Sequence, residues 1–312
     1  MIARAIVTGG AGFVGSHLVD RLADEGSEVL VVDDLSTGRL ENLAQARTTG
    51  RVDFHQLDIT ASQLVEAFGR FEPETVFHVA AQASVNTSMD NPAHDAKVNV
   101  VGSVNVLDAA RQAGTQRVVF VTTGGALYGA AAKLPATEKT ARKPESPYGV
   151  SKMVTEEYLK FFRSAFGLDY SIIAPANIYG PRQNPHGEAG VVALFLRAML
   201  DRGRVVIYGD GRQTRDFVYV EDVVDALMRA AHKGSGKLFN VGSGVETTVL
   251  EIYEQCAAAT RFRGAAEFMP QRPGDILRSV LDASRAAKVL GWQPFTPLER
   301  GIKLTADWFR IS

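Results

Sequence analysis

Ala3-Arg4-Ala5-Ile6-Val7-Thr8-Gly9-Gly10-Ala11-Gly12-Phe13-Val14-Gly15 decides the fold of this 312-residue chain. Ala3 to Thr8 is a short apolar, partly β-branched run of the kind buried in a parallel sheet. A G-x-x-G-x-x-G pattern follows and leads into Phe13, Val14, Leu18, Val19 and Leu22, whose spacing of three and four lines one face of a helix. Glycine is needed at such a join when backbone N–H groups must close on a diphosphate at the positive end of a helix, where a Cβ would collide. The strand before and the amphipathic helix after make a weak glycine pattern specific.

The same alternation continues outward. Glu28 to Asp33, Val52 to Leu57, Thr75 to Ala80 and Arg117 to Thr123 read as further buried strands, separated by helical runs such as Val100, Val104, Leu107 and Ala110. This βαβ order predicts an α/β fold, a doubly wound parallel sheet of the Rossmann type. From Ala176 onward Gly/Pro-rich loops interrupt shorter helices, so a smaller α/β substrate-binding lobe is expected over 176–215 and 236–312. The first domain then covers 1–175, and 216–235 returns to it as a strand and a helix. With 34 Lys+Arg against 35 Asp+Glu, the net charge of −1 excludes a broad electrostatic grip on nucleic acid or anionic membrane. Cys256 stands alone, so no internal disulfide or cysteine metal cluster can form, and a reducing, cytoplasmic setting is expected. No metal site is expected, nor a signal peptide or membrane span, since no run of ~18 apolar residues occurs.

Asp33 ends the second strand 18 positions after Gly15, where a carboxylate can hold the adenosine ribose hydroxyls. With Asp34 beside it, a 2′-phosphate would be repelled, which favours NAD as the cofactor; Arg39 reads as a solvated loop arginine. Asp58, after the third strand, suits either the adenine edge or a helix N-cap.

Ser146-Pro147-Tyr148-Gly149-Val150-Ser151-Lys152 reads as a helix start, with Ser146 as N-cap and Pro147 in the first turn. Tyr148 and Lys152 then share a face. At ~5 Å and an effective dielectric of ~20 the ammonium contributes about 3 kcal/mol, which would lower the phenol by roughly 2 pKa units. Such a tyrosine can serve as base and acid. His78 and Cys256 read as packed side chains.

Taken together, TGGAGFVGSH, Asp33, HVAAQASV, Asn99, ALYG, PYGVSK, NIYGPRQ, RDFVYVEDV and RPGD resemble the extended short-chain dehydrogenase/reductase family over nearly the whole chain. The likeness is strongest to its nucleotide-sugar 4-epimerases. It implies that Tyr148 takes the proton of the sugar 4-hydroxyl while C4 gives up hydride, and that Lys152 assists the phenol. By position, Gly9, Gly12, Phe13, Val14, Gly15, Asp33, Asp58, Ile59, Ala80, Asn99, Tyr148 and Lys152 would contact NAD. Asn177, Tyr208, Arg215, Arg272 and Asp275 would hold the UDP part, with Arg182 and Ser279 near the sugar. The substrate implied is a UDP-hexose or UDP-hexuronate. A homodimer through the helices containing Tyr148 and Asn91 to Ala113 is implied as well.

Two features depart from or refine that pattern. The family's usual Ser/Thr, four residues before Tyr128, is here Gly124, and Thr123 is expected to take over its hydroxyl role, with Thr122 as the neighbour. Dehydratases and decarboxylases of the family carry an acid just after that hydroxyl, whereas Gly124, Gly125 and Ala126 follow here, which leaves plain epimerisation. Ala83, Gly124, Ala176 and Ser279 are small, so a roomy sugar pocket is expected; a C6 carboxylate would need donors such as the Gly124-Gly125 amides, Thr122, Thr123, Arg182 or His186. The alternatives are a 4,6-dehydratase or decarboxylase and, in another class, a non-catalytic NAD-binding sensor.

Overall fold

A computed structural model describes residues 2–130, 133–185, 190–271 and 276–311. In chain order, β1 (Arg4–Thr8), α1 (Phe13–Asp24), β2 (Glu28–Asp33), a short α2 (Ala44–Arg47), β3 (Val52–Gln56), α3 (Leu64–Phe71) and β4 (Thr75–His78) form the first half of the sheet. The second half follows through α4 (Val85–Asp90), α5 (Pro92–Ala96), a wider π-helical turn at Lys97–Gly102, α6 (Ser103–Gln112), β5 (Arg117–Val121), α7 (Gly124–Leu127), α8 (Pro147–Phe166) and β6 (Asp169–Pro175). β1 and β2 end where their apolar runs end, while β3, β4 and β5 stop one or two residues earlier, the rest of each run entering the loop that follows.

The smaller lobe is built from β7 (Asn177–Tyr179), α9 (Val191–Leu200), β8 (Val206–Tyr208), β9 (Thr214–Arg215) and β10 (Phe217–Tyr219). After α10 (Val220–His232) and β11 (Lys237–Val241) it is completed by β12 (Thr247–Thr248), α11 (Val249–Thr260), β13 (Glu267–Met269) and, beyond α12 (Ser284–Leu290), which packs on β11 and α10, by α13 (Leu298–Phe309). The central sheet has seven parallel strands in the order β11-β6-β5-β4-β1-β2-β3. One boundary needs correction: Lys237–Val241, expected in the second lobe, is the edge strand of this sheet and pairs with β6. Its sequence LFNV is buried, with α12 packed against the strand.

Two apolar cores result. The larger lies on both faces of the sheet and includes Val223, Leu227 and Ala230 of α10, so that helix does return to the first lobe. The smaller gathers Phe195, Leu196, Ile207, Ile252 and Phe309. Phe13 and Val14, at the start of α1, pack against the second core, so the glycine turn sits where the lobes meet.

Candidate functional site

The cradle follows from the glycines. Gly9 has φ +70°, and a Cβ there would lie 2.7 Å from the Ala80 backbone. A Cβ on Gly15 would come within 2.1 Å of the Gly9 carbonyl oxygen. Gly12 caps α1 without any side-chain hydrogen bond, which leaves the N–H groups of Phe13 and Val14 at a positive helix end for an anion. Asp33, 7% exposed, braces this turn from β2: Oδ2 accepts from the Ala11 N–H (2.9 Å) and Oδ1 from the Leu35 N–H (2.8 Å). Burial raises its pKa, and the backbone N–H groups oppose that rise. Since a carboxylate has about four lone-pair sites, ribose hydroxyls can still bond it.

Around the cradle, Ile59 is buried and presses against Gly102, where a Cβ would lie 2.7 Å from its Cδ1. The Ala80 N–H donates to the Thr8 carbonyl. Asp34 and Asp58 face solvent and hold their own loops, accepting from the Ser36 and Thr60 N–H groups. The helix after Asp58 starts only at Leu64, so Asp58 caps a turn and not that helix. His78 is buried between the Thr8 and Ser103 hydroxyls, at 2.8 Å from each, and burial lowers its pKa to about 3.

On the other side of β4, the end of β5 delivers the reactive groups. Ser146 caps α8 by accepting from the Gly149 N–H (3.2 Å), with Pro147 in the first turn. A Cβ at Gly149 would lie 2.8 Å from the Ala126 carbonyl oxygen, so glycine lets α8 approach α7 closely. That approach sets the Thr123 hydroxyl close to the Tyr148 phenol, where it favours the ionised form. Thr123 also N-caps α7, accepting from the Ala126 N–H (3.2 Å). Thr122 faces the opposite way and donates to the buried Glu156 carboxylate (3.4 Å), which Arg142 pairs. Gly124 is glycine for packing reasons: a Cβ there would stand 2.4 Å from Leu281 Cδ1 and about as close to the Ala174 and Pro175 carbonyls as a bond partner.

Lys152 is 3% exposed, donates to the Val121 carbonyl (3.0 Å) and stands 4.8 Å from the centre of the Phe120 ring. The expected lowering of the phenol is corrected here. Burial pushes Tyr148 up to about 12 against the Thr123 hydroxyl, and burial pulls Lys152 down to about 7, with Asp95 opposing. Desolvation of the charged form is the largest cause in both cases. Asn99 lies on the π-helical turn and is held by Gln82 and Asp95, with Ser151 at 3.3 Å. Asp95 and Gln82 were not singled out by sequence; the i, i+4 spacing of Asp95 and Asn99 was the available signal.

The second lobe closes the cleft from the side of β7, β8 and β9. Asn177 begins β7, with its Oδ1 3.6 Å from where a Cβ on Gly125 would be. Tyr208 ends β8, while Arg215 on β9 donates to the Thr214 carbonyl (2.8 Å), to which the Ser279 N–H also donates (3.2 Å). Arg272, Asp275 and His186 lie outside the described residues. Arg182 needs correction as a sugar ligand: it pairs with Asp20 of α1 at 2.7 Å, both side chains largely buried, while His17 of α1 bonds the Pro181 carbonyl (3.0 Å). It ties the lobes together. The open-pocket expectation is also corrected at two positions, since Gly124 packs on Leu281 and Ala176 is buried against Gly242.

Residues 5–242 match the model of the NAD dependent epimerase/dehydratase family. The chain belongs to that family. Its cofactor is NAD, and the uncapped α1 terminus, the Cβ-intolerant glycines and Asp33 fit that group. A UDP-glucose 4-epimerase of Mycolicibacterium smegmatis is 49% identical over 308 residues, 98% of each chain. Among solved structures, the UDP-glucose 4-epimerase of Thermotoga maritima with UDP-glucose matches with a TM-score of 0.95 at 44% identity, covering 99% of both chains. The Thermus thermophilus UDP-glucose 4-epimerase in complex with NAD matches at 0.91 and 41% identity, covering 98% of this chain and 99% of that one.

Proposed function

We propose that this NAD-dependent isomerase inverts C4 of a UDP-hexose, interconverting UDP-glucose and UDP-galactose. The observation that carries the reading is the Thr123 hydroxyl set close to the Tyr148 phenol, on the helix that also carries Lys152, at the end of a strand separated from the glycine cradle only by β4. NAD, when bound, supplies a reversible hydride acceptor and a positive charge. Tyr148 takes the 4-hydroxyl proton as the C4 hydrogen leaves, and returns it once the 4-keto sugar has presented its other face. Thr123 holds the 4-oxygen and the phenol in line, acting most strongly while the oxygen changes charge. Lys152, buried and directed by the Val121 carbonyl, provides the cation that favours the phenolate. Asn177, Tyr208 and Arg215, with Arg272 and Asp275, are the proposed UDP ligands; Gly9, Gly12, Phe13, Val14, Gly15, Asp33, Ile59, Ala80 and Asn99 are those of NAD.

Plain epimerisation is favoured over dehydration or decarboxylation because Gly124, Gly125 and Ala126 bring no acid beside Thr123. A neutral hexose is favoured over a hexuronate for a related reason. Thr122 is committed to Glu156 and Arg182 to Asp20, which removes two of the donors a buried C6 carboxylate would need. The single buried Cys256 suits a reducing cytosol. Association into a homodimer is supported by an apolar stripe of Val150, Tyr158 and Phe161 on α8 beside Val101.

The test compares kcat/KM for UDP-glucose, UDP-N-acetylglucosamine and UDP-glucuronate. UDP-glucose turnover with no net redox change, at least about tenfold above UDP-glucuronate, is expected. Absence of C4 inversion with all three would refute the reading, and preference for UDP-glucuronate would refute the choice of hexose.

A further inference from the structure

Asp95 has no role in the chemistry above, and its surroundings are unusual. It is fully buried on α5. Its Oδ1 accepts from Gln82 Nε2 and Asn99 Nδ2, each at 2.9 Å, while Oδ2 is buried with no hydrogen-bond partner among the described residues. A buried carboxylate with an unsatisfied oxygen is destabilising, so a charge that it serves must be sought nearby. Packing of α5 on α8 sets it against the helix that carries Tyr148 and Lys152, and Asn99 Nδ2 bridges Asp95 Oδ1 (2.9 Å) to the hydroxyl of Ser151 (3.3 Å), the residue before Lys152. The other ionisable groups around it are accounted for. His94 and Lys97 on its own helical run and Asp90 on α4 are exposed, His78 of β4 is held neutral by burial, and Glu156 on α8 is paired by Arg142.

Resting on the proposed reading of Tyr148 and Lys152 as the reactive pair, we propose that Asp95 is the buried counter-charge of that pair, a positioning residue that supports the Lys152 ammonium from the helix packed against α8. Gln82 and Asn99 aim the carboxylate by holding one oxygen and leaving the other to the field. Asp95 is the one group that opposes the fall of Lys152 to about 7, and the same charge makes Tyr148 harder to ionise. Its removal therefore lowers both pKa values together, which distinguishes it from a packing residue.

The experiment titrates Lys152 directly in the NAD-loaded protein with isotope-labelled lysine by NMR, the signal assigned by its loss in Lys152→Arg. Asp95→Asn, nearly isosteric, should move the Lys152 midpoint to lower pH by about one unit or more, the size of one buried charge at this range. The pH profile of epimerisation should move acidward on both limbs by a similar amount, with kcat affected more than KM. Asp95→Ser is read in the same way if the asparagine variant fails to fold, and Asp95→Glu should restore most of the midpoint. A folded variant with an unmoved Lys152 midpoint overturns the proposal. The NMR titration needs no turnover, so it decides the role of Asp95 even if the wild-type protein proves inactive on UDP-hexoses.

Discussion

The proposed reactive residues Tyr148 and Thr123 come together because Gly149 lets α8 approach α7 closely. Tyr148→Phe removes the proton carrier and keeps the ring, so turnover should fall by about 10² to 10⁴ with NAD affinity unchanged, as measured by epimerase assay and cofactor titration. Thr123→Ala should lower kcat more than KM, while Thr122→Ala, whose hydroxyl points to Glu156, should leave kcat near wild type. Equal small effects would mean that the phenol works without a hydroxyl partner. Lys152 carries a different signature. Its proton is held up to about pH 10.5 in the unfolded chain and only to about 7 in the folded one, so unfolding takes up a proton between those values. From this group the cofactor-free protein gains stability as pH rises from 7 and lacks that gain below it. Lys152→Met, with no ammonium to shed, should therefore flatten the rise of stability above pH 7 in urea unfolding.

At the level of elements, α1 serves both lobes. Its first turn offers free N–H groups to the diphosphate, its buried face packs on the sheet, and Asp20 and His17 grip the segment Pro181-Arg182. Arg182 sits at φ +65°, a strained backbone for a non-glycine residue, which its ion pair helps to hold. Arg182→Ala should then cost about 1–3 kcal/mol of stability by leaving a half-buried carboxylate unpaired, yet lower kcat/KM only slightly. Arg215→Ala should show the reverse, a loss of about tenfold or more in kcat/KM for the UDP-sugar with little change in unfolding midpoint. If the two variants exchange these phenotypes, Arg182 is a substrate ligand after all.

For the whole molecule, the decisive surface is the outer face of α8 and the helical run before α6. Val101 and Phe161 are 51% and 54% exposed, and Val150 and Tyr158 continue the stripe at helical spacing. In the proposed dimer, the two-fold partner would cover this row with a complementary face. Light scattering should give a dimer for the wild-type protein. Val101→Arg combined with Phe161→Arg should give a monomer, with lowered activity, since α8 carries Tyr148 and Lys152. A dimer that survives the double substitution would place the interface elsewhere.

How much of this was legible in the sequence depends on the distance over which each feature is determined. The glycine turn, Asp33, the Ser146 cap and the Tyr148/Lys152 spacing are local patterns: backbone sterics, capping and helical periodicity act within a few residues, so the first five parallel strands and the reactive helix follow from the chain alone, whereas the place of β11 at the sheet edge came only from its tertiary pairing with β6. The state of charge of those same residues is not local. Burial of Tyr148 and Lys152 reverses the direction expected for the phenol from their spacing, because desolvation depends on everything packed around them. Glycine at 124 looked like a missing hydroxyl; only the tertiary contact with Leu281, 157 positions away, gives its steric reason. Arg182 likewise read as a sugar ligand from its loop, and the partner that claims it, Asp20, is brought there by the packing of α1. Sequence determined which groups are present and on which element each lies. Tertiary structure decided which of them meet, and what that meeting does to their charge, since both depend on contacts between segments far apart along the chain.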